Sequence, residues 1–125
     1  MNGTKRLVAF KVDAAIDAHT RWMARLCLAI EKGASEDSVA AVKADNQCEF
    51  GKWLYLEFPP SFKGGPEYFA IRELHATFHR NAASILEMAL SQRKAEAIHA
   101  MEPGAALKSA SLALINALGK LKSLA

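Results

Sequence analysis

Four residues in this chain could share a metal ion: His19, Cys48, His75 and His79. His75 and His79 stand four apart, a spacing that brings two side chains to one side of a helix. Both lie on or beside an apolar stripe, and His19 lies on another, next to Trp22. Taken singly, each histidine reads as a core or boundary residue satisfied by its own hydrogen bond. Three buried imidazoles would each need a polar partner, whereas one ion would serve all three. Cys48 adds a fourth donor. In the first turn of a helix, backbone N–H groups and the helix dipole would favour its thiolate, the form that binds metal. Three imidazoles and one thiolate make a tetrahedral donor set suited to zinc. A haem site would not need four such donors. A di-iron bundle would want inward glutamates in Glu-x-x-His pairs, which are not evident.

These residues must be carried by helices. Residues 7 to 32 predict one long helix, with Val12, Ile16, His19, Met23, Leu26 and Ile30 recurring at helical steps. Gly33 suits its C-terminus. Ser35 is expected to cap a short helix through about Lys43. Asp45 or Asn46 can cap another, carrying Cys48 in its first turn and ending before Pro59 and Pro60. Ser61 to Gly65 reads as a loop. Pro66 can open a helix running to about Gln92, with Ile71, His75, Phe78, Ala82, Ile85 and Ala89 facing inward. Ala97, Ile98 and Met101 form one further apolar patch. Leu107, Ser111, Leu114, Leu118 and Leu121 form another, with a break at Pro103 and Gly104. Nothing alternates with period two long enough to make a strand. The expected fold is all-α: an antiparallel four-helix-type bundle with one or two additional short helices.

The totals narrow the class. A chain of 125 residues, 51% hydrophobic, fits one domain over residues 1–125. No apolar run reaches membrane-spanning length. The N-terminal apolar run is too short for a signal peptide, so cytoplasm is the expected location. The net charge is +3 and the cations are dispersed, with only a mild cluster near Lys120 and Lys122. Without an aromatic-interleaved basic patch, a nucleic-acid partner is not expected. Cys27 and Cys48 could pair once, but a reducing compartment disfavours it. Cys27 lies about 80° round the helix from His19 and reads as a core cysteine; His99 reads as surface or boundary.

Three segments occur in order: I-D-A-H-x-x-W (Ile16 to Trp22), C-x-F-G-x-W (Cys48 to Trp53) and H-x-x-x-H (His75 to His79). Together they resemble the CZB, or chemoreceptor zinc-binding, domain. The likeness covers most of the chain, from about Lys11 to the last helix. It implies a helical bundle holding one zinc through His19, Cys48, His75 and His79. Such domains are attached to chemotaxis receptors, where they respond to zinc or to oxidants such as hypochlorous acid. They also precede a zinc-regulated, dimeric diguanylate cyclase, and occur as stand-alone proteins. The chain has no room for such an output domain, so it is expected to be a stand-alone member or a regulatory piece.

The expected function is a zinc-binding sensory or regulatory domain of bacterial signalling, not an enzyme. Cys48 would be the ligand able to leave or be oxidised. The alternatives are a structural zinc bundle mediating dimerisation and, further off, a zinc hydrolase, for which no general base or substrate motif is apparent. A homodimer is expected from the resemblance, with apolar surplus at Leu7, Val8, Phe10, Leu112 and Ile115 available to pack a second copy. A chemoreceptor or diguanylate cyclase would be the effector. Near the site, Trp22 and Trp53 would pack and exclude water, and Gly51 would allow close approach. Asp17 would either accept the outer N–H of a ligating histidine or stay solvated.

Overall fold

Among the described residues, helical periodicity in the sequence becomes three long helices and three short ones. A computed structural model describes residues 2–46, 48–59 and 65–124. The long helices are α1 (Asn2–Lys32), α4 (Pro66–Leu90) and α6 (Ala106–Leu124). Between them lie α2 (Val39–Lys43), α3 (Glu49–Lys52), which continues into a π-helical turn over Trp53–Glu57, and α5 (Lys94–Ala100). No strand occurs among the described residues. The protein is all-α, as its patterning requires, and its six helices among the described residues fit a four-helix-type bundle with two additional short helices.

Each long helix buries the stripe that its spacing predicts. Ile71, His75, Phe78, Ala82, Ile85 and Ala89 are all buried on α4, and Leu107, Ser111, Leu114, Leu118 and Leu121 on α6. On α1 the core side chains are Val8, Val12, Ala15, His19, Leu26, Ala29 and Ile30, while Ile16, Trp22 and Met23 pack at its margin. Burying each large aliphatic side chain contributes about 1.5–3 kcal/mol, and this packing holds helices that would be marginal alone.

The ends have local causes. Gly33, at φ 67, closes α1 with its N–H on Ala29 C=O at 2.7 Å, a left-handed conformation that favours glycine. Pro66 opens α4 at a position where its missing N–H costs nothing. That helix stops at Leu90 rather than Gln92, because Gln92 itself turns left-handed at φ 65. The break expected at Pro103 and Gly104 separates α5 from α6.

The path between α1 and α4 differs from the sequence expectation. Ser38, not Ser35, caps α2, its hydroxyl accepting from Ala41 N–H at 3.1 Å. Ser35 instead takes the Asp37 N–H in the preceding turn. Cys48 is itself the cap of α3, in place of Asp45 or Asn46. Residues 60–64, which cover Pro60 and most of the expected Ser61–Gly65 loop, lie outside the described residues; Gly65 caps α4.

Pairings along the chain give the topology. His19 meets His75 and Phe78, and Gly33 lies near Ala89, so α1 and α4 run parallel. Val42 reaches His79, Cys48 reaches both His75 and His79, and Leu54 reaches Tyr68. The α2–α3 segment therefore descends antiparallel to α4. Cys27 and Ile30 lie beside Ile98 and Met101, just ahead of α6, while Asp13 pairs with Lys122 near its end at 2.9 Å, so α6 runs antiparallel to α1. The result is an up-down-up-down bundle whose second leg is assembled from short pieces.

Two surface expectations are revised. Cys27 is exposed, because Leu26 and Ile30 take the core positions of that turn. Val8 is core, and Ile115 and Ile98 are half-buried and exposed respectively; Leu7, Phe10 and Leu112 remain exposed. No helix among the described residues is long and apolar enough to cross a membrane.

Candidate metal centre

Three donor atoms converge where α3 begins against the middle of α4. The four-residue spacing puts His75 and His79 on adjacent turns, with their Nε2 atoms 3.1 Å apart. The Cys48 Sγ lies 3.4 Å from His75 Nε2 and 3.6 Å from His79 Nε2. Among the described residues these three form a group whose donor atoms all lie within 4.8 Å of one another. Tetrahedral zinc, with bonds of about 2.0–2.1 Å to nitrogen and about 2.3 Å to sulfur, has N–N edges of about 3.3 Å and N–S edges of about 3.6 Å. The observed separations match those edges to within a few tenths of an ångström.

Backbone groups set the orientation of these side chains. The His79 Nδ1–H donates to Val42 C=O at 2.8 Å, so its Nε2 presents a lone pair to the site. Cys48 has an extended backbone, and its sulfur accepts the Gly51 N–H at 3.2 Å. Gly51 is needed because a Cβ there would overlap the Asp45 carbonyl oxygen. The close approach expected at this glycine is thus made by the preceding loop. Phe50 packs edge-on to His75, with ring centroids 5.1 Å apart. Trp53 is buried one ring further out, against Phe50 and Phe58.

His19 lines the same cavity from α1 but stands outside the three-donor group. Its ring lies 5.9 Å from that of His75 and 4.3 Å from that of Phe78. The Nδ1–H donates to Ala15 C=O at 2.6 Å, while the buried Nε2 has no hydrogen-bond partner among the described residues. The Nδ1 of His75 is likewise buried without one. A core histidine satisfied by its own hydrogen bonds is therefore not what His19 or His75 presents. A buried unpaired polar atom costs about 1–3 kcal/mol, and a cation at the lone pair of His19 Nε2 would relieve that cost. The residues present fit zinc.

Electrostatics keep the imidazoles neutral. Burial lowers the pKa of His75 to about 3, with the neighbouring His79 and His19 adding to the effect. Burial also lowers His79 and His19, partly opposed by their bonds to Val42 and Ala15. Neutral imidazole is the metal-binding form. Cys48 departs from the expected activated thiolate. Burial pushes its thiol up, and the Gly51 and Phe50 N–H groups offset this only in part. A metal binding there must displace the thiol proton.

The other expected neighbours sort clearly. Trp22 lines the cavity, with the Arg25 guanidinium 4.1 Å above its ring. Asp17 reaches no histidine: it is exposed and pairs with Arg21 at 2.6 Å. Two residues before His19 is about 200° round the helix, which points Asp17 away from the site. Ala15, four residues before, supplies the carbonyl instead, a partner readable from i−4 geometry. Val42 had no comparable signal, since it acts through its backbone from a distant segment. His99 is exposed and sits 3.4 Å from Glu102.

Neither the curated proteins nor the solved structures yielded a match. Residues 19–86, more than half of the chain, match the family model described as the chemoreceptor zinc-binding domain. That stretch opens at His19 and contains Cys48, His75 and His79. By this match the chain belongs to the chemoreceptor zinc-binding domain family.

Proposed function

We propose that this protein is a zinc-binding regulatory module of bacterial signalling, holding one zinc per chain through His19, Cys48, His75 and His79. The observation that carries the reading is the convergence of Cys48, His75 and His79 at tetrahedral spacings. When bound, zinc would supply a crosslink between α1, the start of α3 and α4 rather than a reactive centre. His79 ties the cluster to α2 through Val42, so filling the site would hold the short second leg against α4. Cys48 is the one oxidisable donor of the set, and its sulfur borders the cavity that opens beside α1. Oxidation there would remove a ligand, which allows one site to answer zinc or an oxidant. The role is regulatory, not enzymatic, in the cytoplasm. A chemoreceptor or diguanylate cyclase is the proposed effector, and exposed Leu7, Phe10 and Leu112 are available for self-association.

A competition titration with a chromophoric zinc chelator tests this. Wild type is expected to take up one zinc per chain. Loss of an outer partner of a metal ligand already costs 10–100-fold in affinity, so Cys48→Ser should cost about a hundredfold or more. No uptake by wild type, or equal affinity in the variant, would refute the assignment.

A further inference from the structure

The four family-motif donors are not equivalent in this structure. Cys48 and His79 are held by groups outside α1, and His75 stands one turn from His79 on α4, with Phe50 edge-on to its ring. His79 is fixed by Val42 C=O, the Cys48 sulfur is fixed by Gly51 N–H, and α2 packs along α4. His19 is fixed differently. Among the described residues its one hydrogen bond is to Ala15 on its own helix, so its ring is tied to α1 and to no polar group they offer across the interface. Bringing its Nε2 to the other three donors requires α1 itself to shift or that bond to break. The Nε2 is buried and unpartnered, so engagement would satisfy it. Space for the shift exists: a cavity of about 340 Å³ lies between α1 and Cys48–Phe50. On the α1 side its wall includes the small side chains Ala14, Ala15 and Ala18, which allow close helix approach.

We propose that His19 is the last donor to engage, and that its engagement draws α1 onto the preassembled Cys48–His75–His79 half-site, so that α1 reports whether the site is filled. This rests on the zinc reading above. The half-site captures the ion whether or not His19 is present. Without His19, capture leaves α1 where it was.

The test uses the full chain, stripped and reloaded. Cobalt(II) probes capture through its sulfur-to-metal absorption band, and hydrogen exchange with and without zinc probes α1. In wild type the cobalt band should appear, and zinc should slow exchange in the middle of α1 by about fivefold or more, the lower end of ordinary coupling between sites. His19→Phe keeps a ring against Phe78 but removes the donor; His19→Ala serves if the larger ring disturbs folding. Either should retain the cobalt band and zinc-dependent protection around α2 and α3, yet lose the slowing in α1. Loss of the cobalt band in folded His19 variants would overturn the order of engagement while leaving the zinc reading intact. Zinc-dependent slowing in α1 that persists in the variants would overturn the role of His19. A wild type without any cobalt band would overturn both.

Discussion

Gly51→Ala is expected to destabilise the metal-free protein by about 3 kcal/mol or more, above the usual 1–3 kcal/mol of an overpacked core. The new Cβ would overlap the Asp45 carbonyl oxygen and lie 3.1 Å from Asn46 Cα. Both neighbours are backbone, so neither can swing aside as a side chain would. Asp45 is further held by its carboxylate, which accepts the Tyr55 hydroxyl. The loop must therefore move as a unit, or α3 must. Either movement displaces the Gly51 N–H from the Cys48 sulfur and spoils the spacing to His75 and His79. Urea unfolding of the stripped variant should show the stability loss, and zinc titration a parallel loss of affinity. A variant as stable as wild type would mean that Gly51 is only a packing glycine.

Acid should weaken the metal-free protein well before carboxylates protonate. His75 is held neutral by burial, with a folded pKa of about 3 against about 6.5 in the unfolded chain. Between those values the unfolded state binds the extra proton, so stability falls as pH falls. It is fully present above about 6.5 and is lost progressively toward about 3. One pKa unit corresponds to about 1.4 kcal/mol, so the His75 shift, which includes repulsion from His79 and His19, would cost several kcal/mol over the whole window. His19 and His79, also lowered by burial, act in the same direction. Urea unfolding of stripped protein at pH 7, 6 and 5 should give a steady decline. His75→Leu, which has no proton to gain, should make the decline shallower, leaving the part that His19 and His79 contribute. A stability independent of pH across that range would show that the imidazoles are hydrated rather than buried.

What could be read beforehand follows from which interactions are local. The stripes of α1, α4 and α6 repeat over many turns, so position after position agrees, and their burial follows. His75 and His79 share a face because four residues make about one turn. The second leg departs from its expected boundaries because several polar residues compete to cap it. Ser35 and Ser38 both suit the role; Ser38 takes it, while Ser35 accepts the Asp37 N–H in the preceding turn. A thiol is not an ordinary cap, so the sequence pattern puts Cys48 in the first turn, whereas it is the cap itself. Asp17 looked near His19 in sequence but faces solvent, whereas the partner actually used is a backbone carbonyl one turn back. The Val42 carbonyl depends on how α2 lies along α4, which no local pattern encodes. Cys27, about 80° round the helix from His19, reads as core, yet Leu26 and Ile30 occupy the core there and leave it exposed.

The central claim is that one sulfur and the histidine nitrogens of this cluster share a zinc ion. X-ray absorption at the zinc edge of the reloaded protein measures that directly. It should show one sulfur at about 2.3 Å and nitrogen neighbours at about 2.0–2.1 Å, with the sulfur shell lost in Cys48→Ser. A zinc environment of oxygen and nitrogen alone in the wild-type protein would contradict it.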